Sequence, residues 1–384
     1  MSGRTGSTSP TLTAGPRHGA GHVGGHLTGP APAAGVGPPA RPTPEDARAR
    51  FFAPDPARVT ADLSVRLGSL LLDSPVMPAS GCFGPELEGL LPMDRLGAVV
   101  TKTVFSAQRG GNAAHRLSET GMGMINSVGI PSPGVPGFLR DVLPRYHATG
   151  RPVVVSVGGL RPEEYAEVAE ELGDAEYAAL EINVSCPNLE HGGTEIGADP
   201  EAVARITREV RHRAGGRPVW VKLAPMVASV TEVARAAHRA GAEALVVANS
   251  YPGMVVDPGT GRPVLGNTVG GVSGPAVKPL SLRLAWLVAQ AVPVPVIGCG
   301  GVSTAQDALD YLRVGAAAVQ VGTATFARPQ AMAEIVRELD DRCAGAGVAK
   351  LPELVRPGGD HEDATTPTRH PGRSADDRPS RGNG

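Results

Sequence analysis

The chain has 384 residues, 41% of them hydrophobic, and a formal net charge of −2 at pH 7; it is long enough for one large domain or two, and its charge favours neither nucleic acid nor an anionic membrane as a partner. No apolar run reaches the roughly 18 residues of a transmembrane helix, and the N-terminus lacks the apolar core of a secretory signal. The four cysteines form no C-x-x-C pair, which argues against zinc sites and iron–sulfur clusters held by this chain and predicts free thiols in a reducing cytoplasm.

The two ends of the chain differ in composition from its middle. Residues 1–55 are rich in Gly, Pro, Ala, Ser and Thr and contain almost no large apolar side chains, and residues 351–384 are polar and charged. Such segments bury too little surface to offset their chain entropy. We therefore predict disordered tails at 1–55 and 351–384 and one folded domain at 56–350.

Between the tails, short β-branched-rich runs alternate with longer amphipathic runs, which predicts alternating strands and helices. A small hairpin is predicted from residue 62 onward. The predicted strands are 75–79, 98–101, 152–157, 178–182, 219–223, 244–248, 294–297 and 317–321. The predicted helices are 162–172, 200–214, 230–240, 275–291, 305–314 and 330–343.

Eight such strand–helix units suit one (β/α)8 barrel, a TIM barrel, whose bottom the small N-terminal hairpin would close. The alternative is an open doubly wound sheet. That alternative is disfavoured because the first strand is not followed by a Gly-rich dinucleotide fingerprint. In a barrel, the chemistry lies at the C-terminal ends of the strands.

Rare residue types gather at these predicted strand ends. The chain has only four lysines and seven asparagines, and Lys102, Lys222, Asn183 and Asn249 all fall at this face. A lysine buried there needs an anion or a polar ring system beside it. The pairs 300–301 (Gly-Gly) and 322–323 (Gly-Thr), after the last two strands, are typical of a phosphate cradle. The sequence therefore predicts a phosphorylated ligand over the barrel mouth.

The stretch 181–188 (EINVSCPN) places a thiol, Cys186, between the amides of Asn183 and Asn188 at the end of the fourth strand. A thiol in that setting is a candidate nucleophile or proton-transfer group. From this stretch alone, a buried cysteine acting as a small hydrophobe is about equally compatible.

Several motifs together resemble the class 1 dihydroorotate dehydrogenases over about residues 60–330. The motifs are 75–84 (PVMPASGCFG), 100–103 (VTKT), 126–130 (NSVGI), 181–188 (EINVSCPN), 221–225 (VKLAP), 270–279 (GGVSGPAVKP), 297–302 (IGCGGV) and 318–323 (AVQVGT). The resemblance implies an FMN-bearing barrel that oxidises (S)-dihydroorotate to orotate in de novo pyrimidine biosynthesis. Class 2 enzymes use a serine base and a membrane-directed N-terminal helix, which Cys186 and the Gly/Pro-rich tail do not match.

The resemblance also implies roles for individual residues. Cys186 is the expected base that removes the C5 proton while a hydride leaves C6 for flavin N5. The expected FMN contacts are Ser80, Lys102, Thr103, Ser156, Asn183, Lys222, Ala248, Gly274, Gly300, Gly301, Gly322 and Thr323. The expected pyrimidine contacts are Lys102, Asn126, Ser127, Val128, Gly129, Ile130, Asn183, Asn249 and Ser250.

Three residues depart from the family pattern. Ser156 stands where the family commonly has asparagine, and Cys82 and Cys299 stand where it usually has threonine and methionine. The shorter Ser156 side chain predicts that one flavin contact is lost or made through water. We interpret the two extra thiols as neutral changes.

The segments 189–197 and 274–279 are most similar to the NAD-linked subtype, which works with a second subunit carrying FAD and an iron–sulfur cluster. The fumarate-reducing homodimer is the alternative, and a homodimer is expected in either case. Two other hypotheses stay open at this point, a flavin enzyme that acts on another pyrimidine and a non-catalytic flavin-binding paralogue. The complete set of Cys, Lys and Asn residues favours dihydroorotate oxidation.

Overall fold

The computed structural model describes residues 60–185 and 193–355, and short strands recur through both ranges. In chain order they are β1 (Val65–Leu67), β2 (Leu70–Leu72), β3 (Val76–Pro78), β4 (Val99–Val100), β5 (Gln108–Arg109), β6 (Leu117–Thr120), β7 (Gly123–Asn126), β8 (Ser132–Pro133), β9 (Val153–Val157), β10 (Ala179–Asn183), β11 (Val219–Lys222), β12 (Ala244–Val247), β13 (Tyr251–Gly253), β14 (Gly270–Ser273), β15 (Val296–Cys299) and β16 (Ala316–Val321).

Eight parallel strands form the central sheet in the order β3-β16-β15-β12-β11-β10-β9-β4. The two end strands, β3 and β4, pack against each other, so the sheet closes into a nearly complete barrel. All residues of β9, β10, β11 and β12 are buried. Strands buried on both faces are expected where helices cover the outside and side chains fill the inside. The predicted (β/α)8 barrel is confirmed.

Helices of very different length connect the strands. The α-helices are α1 (Gly134–Gly137), α2 (Leu143–His147), α3 (Pro162–Leu172), α4 (Gly193–Ala198), α5 (Pro200–Arg213), α6 (Val230–Arg239), α7 (Lys278–Ala291), α8 (Ala305–Arg313), α9 (Ala324–Ala327), α10 (Ala331–Ala346) and α11 (Leu351–Val355). Three of them begin where a side chain accepts a backbone N–H of the first turn: Asp199 caps α5, Ser229 caps α6 and Thr304 caps α8. Such caps satisfy donors that a helix start otherwise leaves unpaired.

The predicted hairpin is formed by β1 and β2, which pair antiparallel. Leu67 and Leu72 are fully buried and belong to the same apolar cluster as Ala98, Ala179 and Trp220 inside the barrel. Ala98 and Ala179 lie at the N-terminal ends of their strands, opposite the end where chemistry is expected. The hairpin therefore closes the barrel bottom.

A second, four-stranded antiparallel sheet has the order β13-β14-β7-β6. Its strands come from the long connections after β4 and β12, two of the barrel strands. Short strands β5 and β8 also pair in the first of these connections. The sequence analysis predicted none of these strands, because segments of two to four half-exposed residues show little hydrophobic periodicity.

The other element boundaries differ modestly from prediction. The predicted helix 275–291 begins as a 3-10 turn at Pro275–Val277 before α7. The folded part of the chain extends beyond the predicted limit at 350, because α11 is anchored by buried Leu351, whose N–H donates to the Asp62 carbonyl. The predicted tails stay predictions, since residues 1–59 and 356–384 lie outside the described ranges.

Candidate active site

A cavity of about 310 Å³ opens at the C-terminal ends of the barrel strands. Its wall carries residues of strands β6, β7, β10, β11, β14 and β15, of helix α9, and of the loops that follow β3, β4, β7, β12, β14, β15 and β16. Nearly all of the predicted site residues lie on this wall: Ser80, Lys102, Thr103, Asn126, Val128, Gly129, Ile130, Asn183, Lys222, Ala248, Asn249, Ser250, Gly274, Gly300, Gly301, Gly322 and Thr323.

Two of the described residues of the predicted site are not on that wall. Ser156 is fully buried behind Thr103, and the two hydroxyl oxygens are 2.9 Å apart. Ser127 is also fully buried, and its hydroxyl accepts a hydrogen bond from the Asn112 amide at 2.8 Å. Both hydroxyl groups therefore have a polar partner within the protein. Cys186, the predicted base, lies outside the described residues, as does Asn188.

Amide and hydroxyl groups form a connected network at the end of β10. The Asn249 amide donates to Asn183 Oδ1 at 3.3 Å and to Ser185 Oγ at 3.0 Å. The Asn183 amide in turn donates to Thr103 Oγ1 at 3.0 Å. Because each side chain is held by another, these groups present fixed donors and acceptors to a ligand. Ser185 directly precedes Cys186 and is buried, so the network reaches the predicted base along the chain.

Two lysines give the cavity its positive charge. Lys222 is 3% exposed, and its Nζ donates to Gln320 Oε1 at 3.1 Å. Burial acts to lower the pKa of Lys222, but neighbouring acidic groups, among them Glu181, act to raise it and the net shift is upward, so the ammonium is charged at neutral pH. The pKa of Lys102 is lowered, first by burial. A buried ammonium on a cavity wall suits a ligand that carries or acquires negative charge.

Cys82 and Cys299 also lie on the cavity wall. Burial raises the pKa of Cys82 to about 11 and also raises the pKa of Cys299. Both thiols are therefore protonated at neutral pH. Neither has the lowered pKa of a nucleophilic or base cysteine.

Glycines form one wall of the cavity because side chains do not fit there. Gly274, Gly300 and Gly301 have positive φ angles of 99°, 133° and 70°. A Cβ on Gly301 would lie 2.7 Å from Lys278 Cβ, and one on Gly300 would lie 2.2 Å from Ser281 Oγ. Backbone of this kind lets N–H groups approach a phosphate closely.

Several apolar residues of the cavity wall were not predicted from the sequence. Leu117 and Met124 belong to the antiparallel sheet, Val277 lies in the turn before α7, and Phe326 lies in α9 and is 57% exposed. Residues of the additional antiparallel sheet cannot be predicted from the ends of the barrel strands. Phe326 could have been predicted, because it lies only three residues after the predicted cradle residue Thr323 in the sequence.

The fold and the site define a (β/α)8-barrel enzyme with a cationic, amide-rich cavity and a glycine cradle at the strand ends. The family model described as dihydroorotate dehydrogenase matches residues 62–343. A relative from Bacillus pumilus, named dihydroorotate dehydrogenase B (NAD(+)), catalytic subunit, is 42% identical over 303 residues, covering 78% of this chain and 97% of the relative. A relative of the same name from Solidesulfovibrio magneticus is 44% identical over 296 residues, covering 76% of this chain and 97% of the relative.

The chain therefore belongs to the dihydroorotate dehydrogenase family, as the sequence motifs predicted, and is an oxidoreductase that converts dihydroorotate to orotate in pyrimidine biosynthesis. This family implies a flavin cofactor. The glycine cradle, where a Cβ would collide, and the buried Lys222 ammonium both fit such a group.

Membrane spans and metal clusters are both absent from the described part of the chain. Within 60–185 and 193–355, no helix is long and apolar enough to cross a membrane. In the same ranges, no group of three or more His, Cys, Asp or Glu side chains is arranged to hold a metal ion.

Proposed function

We propose that this chain is the FMN-bearing catalytic subunit of an NAD-linked dihydroorotate dehydrogenase, with Cys186 as its base. One observation carries the proposal: nearly every residue that the family resemblance assigned to FMN and the pyrimidine lies on the wall of a single cavity at the barrel mouth. These residues are distant in the chain, from Ser80 to Thr323. A cavity formed by chance would not be expected to bring these residues together.

The glycine cradle supports FMN as the particular flavin. Gly300, Gly301 and Gly322 would place backbone N–H groups around its phosphate, and Thr323 would add a hydroxyl, now 2.8 Å from Ser273 Oγ. Lys222 would lie against the ring edge that gains negative charge on reduction. Lys102, Thr103 and Asn183 would bind the remaining polar edge. When bound, the flavin supplies the acceptor for the hydride that leaves C6 of dihydroorotate.

The amide network supports a planar pyrimidine with alternating donors and acceptors. Asn126, Asn183 and Asn249 offer both kinds of group, and the Asn249 amide is held by Ser185. Lys102 would pair with the substrate carboxylate. In this proposal the Cys186 thiolate would take the proton from C5 of dihydroorotate.

The names of the relatives support NAD as the electron acceptor. Those from Bacillus pumilus and Solidesulfovibrio magneticus are named as catalytic subunits of an NAD-dependent enzyme. The first barrel strand of this chain is not followed by a dinucleotide fingerprint. Electrons would therefore reach NAD through a separate subunit that carries FAD and an iron–sulfur cluster. A homodimer of this chain at the centre of that assembly, in the cytoplasm, completes the proposal.

Anaerobic titration tests the proposed function. The purified chain should be yellow, release FMN on denaturation, and lose its flavin absorbance on addition of one equivalent of dihydroorotate. Dihydrouracil, which lacks the carboxylate, is the matched comparison and should leave the absorbance unchanged. A colourless protein, or one bleached by dihydrouracil and not by dihydroorotate, would contradict the proposal.

A further inference from the structure

A series of hydrogen-bonded, buried polar side chains crosses the barrel interior beneath the cavity. Glu181 lies on β10 and Gln320 on β16, which are separated by three strands in the sheet order and so face each other across the barrel. Gln320 Nε2 donates to Glu181 Oε2 at 2.6 Å, and Gln320 Oε1 accepts from Lys222 Nζ at 3.1 Å. These two hydrogen bonds therefore connect Glu181 to Lys222 on the cavity wall.

The burial of these polar side chains is not explained by a gain in stability of the fold. Glu181 and Gln320 are fully buried. Glu181 Oε1 and Trp220 Nε1, at paired positions of β10 and β11, have no hydrogen-bond partner among the described residues. A carboxylate that is only half satisfied in a protein interior destabilises the fold relative to an apolar side chain. The charge of Glu181 therefore points to a role in the site.

Glu181 is the carboxyl group that acts on Lys222 within the barrel interior. Because burial raises the pKa of Cys82 to about 11 and also raises that of Cys299, both thiols are neutral at pH 7. The Glu181 carboxylate acts on the Lys222 ammonium and helps to keep it protonated despite its burial. In a low-dielectric interior such an interaction extends beyond direct contact.

We propose that Glu181 is a positioning residue that, through Gln320, holds the Lys222 ammonium at the cavity wall and offsets part of its charge. This inference rests on the proposed flavin site. An ammonium near a flavin favours the reduced, negatively charged form. By drawing Lys222 toward the barrel interior, Glu181 makes the bound flavin harder to reduce than Lys222 alone would. The reduction potential of the flavin is thus set partly from beneath the site.

The test is the reduction potential of the flavin in the full-length protein, measured against a reference dye at pH 7. Glu181→Gln keeps the shape and removes the charge. We expect the ratio of reduced to oxidised flavin at a fixed potential to rise about tenfold, which is about 30 mV for a two-electron couple. Trp220→Phe is the matched control, because it alters the paired position without changing charge, and its ratio should stay within about twofold of wild type.

A second variant keeps the inference testable if Glu181→Gln does not fold. Gln320→Met removes the hydrogen bonds that link Glu181 to Lys222, with a side chain of similar volume and no change of charge. It should raise the ratio of reduced to oxidised flavin by about threefold. An unchanged or lowered ratio in a flavin-bearing Glu181→Gln or Gln320→Met protein, or an equal rise in Trp220→Phe, would overturn the inference alone. A wild-type protein without flavin would overturn the proposed function and the inference together.

Discussion

At the residue scale, the site depends on a few positions where only one side chain type fits. The sequence analysis found Lys222, Asn183 and Asn249 because these residue types are rare in the chain and fall at strand ends. It could not find that Ser156 is turned toward Thr103, because rotamers depend on neighbours that are distant in sequence. Glu181 was read only as part of a motif, and its link across the barrel to Gln320 appears in the structure alone.

Gly301 gives the first prediction. Its φ is 70°, and a Cβ added there would lie only 2.7 Å from Lys278 Cβ, which leaves no room for alanine. We expect Gly301→Ala to lose most of its bound flavin, because the cradle backbone must shift. Gly150→Ala is the control: it has a φ of 67°, but a Cβ there meets no atom within 4 Å. Each costs about 1 kcal/mol or more in backbone strain. Flavin content per protein after gel filtration separates them, and equal loss in both variants would contradict the cradle assignment.

At the element scale, alternation of strands and helices was enough to predict the barrel. The eight barrel strands were predicted within two residues at each end, because strands buried on both faces appear as short runs of Val, Ile, Leu and Ala. The antiparallel strands over the barrel mouth were not predicted. Strand β6 alternates exposed and half-buried residues, and its pairing with β7 depends on the connection between them. The local sequence pattern therefore predicts the barrel strands better than the antiparallel strands that complete the cavity.

The hairpin below the barrel gives the second prediction. Leu72 is 1% exposed within the interior cluster, whereas its neighbour Leu71 is 54% exposed on the same strand. Leu72→Ala should lower the free energy of unfolding by about 2–5 kcal/mol through the cavity it leaves. Leu71→Ala should change it by less than about 0.5 kcal/mol. Urea unfolding followed by circular dichroism gives both values. Similar losses in the two variants would mean that the hairpin does not close the barrel.

The third prediction concerns the junction of α7 and α8. Lys278 Nζ lies 2.5 Å from Asp307 Oδ1 and 2.6 Å from Asp310 Oδ2. Burial acts to raise the pKa of each carboxyl, but hydrogen bonds from Lys278 and from Thr304 or Gln306, together with the Lys278 charge, hold both pKa values below the ordinary one. A lowered carboxyl pKa stabilises the fold above the ordinary value, and this contribution is lost as pH falls through the lowered pKa values.

Lys278→Met should therefore lower the free energy of unfolding by about 1–2 kcal/mol at pH 7, discounted for partial exposure, and by less at pH 3. Arg140→Met removes a largely exposed ion pair with Asp141 and should have little effect at either pH. Urea unfolding at the two pH values measures the difference. A Lys278→Met effect that is equal at pH 7 and pH 3 would exclude the two carboxylates as its cause.

At the scale of the whole molecule, closure of the barrel brings together residues that are far apart in the chain. Ser80 and Thr323, which follow the first and the last barrel strand in the sequence, lie on one cavity wall because β3 and β16 are neighbours in the sheet. The fold class and the family pattern predicted this gathering. Periodicity and residue type alone would not have specified which strand ends meet, since that follows from the strand order.

The fourth prediction concerns the electron acceptor. With dihydroorotate and NAD, the chain alone should form no NADH, because its route to NAD is proposed to require a second subunit. Addition of a purified FAD- and iron–sulfur-bearing electron-transfer subunit should start NADH formation, followed by absorbance. Fumarate in place of NAD is the control and should not support turnover. Fumarate-dependent turnover by the chain alone would instead identify the fumarate-reducing homodimer.

The most direct test of the account is the rate at which dihydroorotate bleaches the flavin of a Cys186→Ala protein in anaerobic rapid mixing. A lost general base slows its step by about 10²–10⁴-fold, so we predict a yellow protein whose bleaching is slowed by that factor. Cys343→Ala is the control, because Cys343 is buried in α10 and does not line the cavity, and it should bleach at the wild-type rate. A Cys186→Ala protein that keeps its flavin and bleaches as fast as wild type would contradict the assignment of Cys186 as the base.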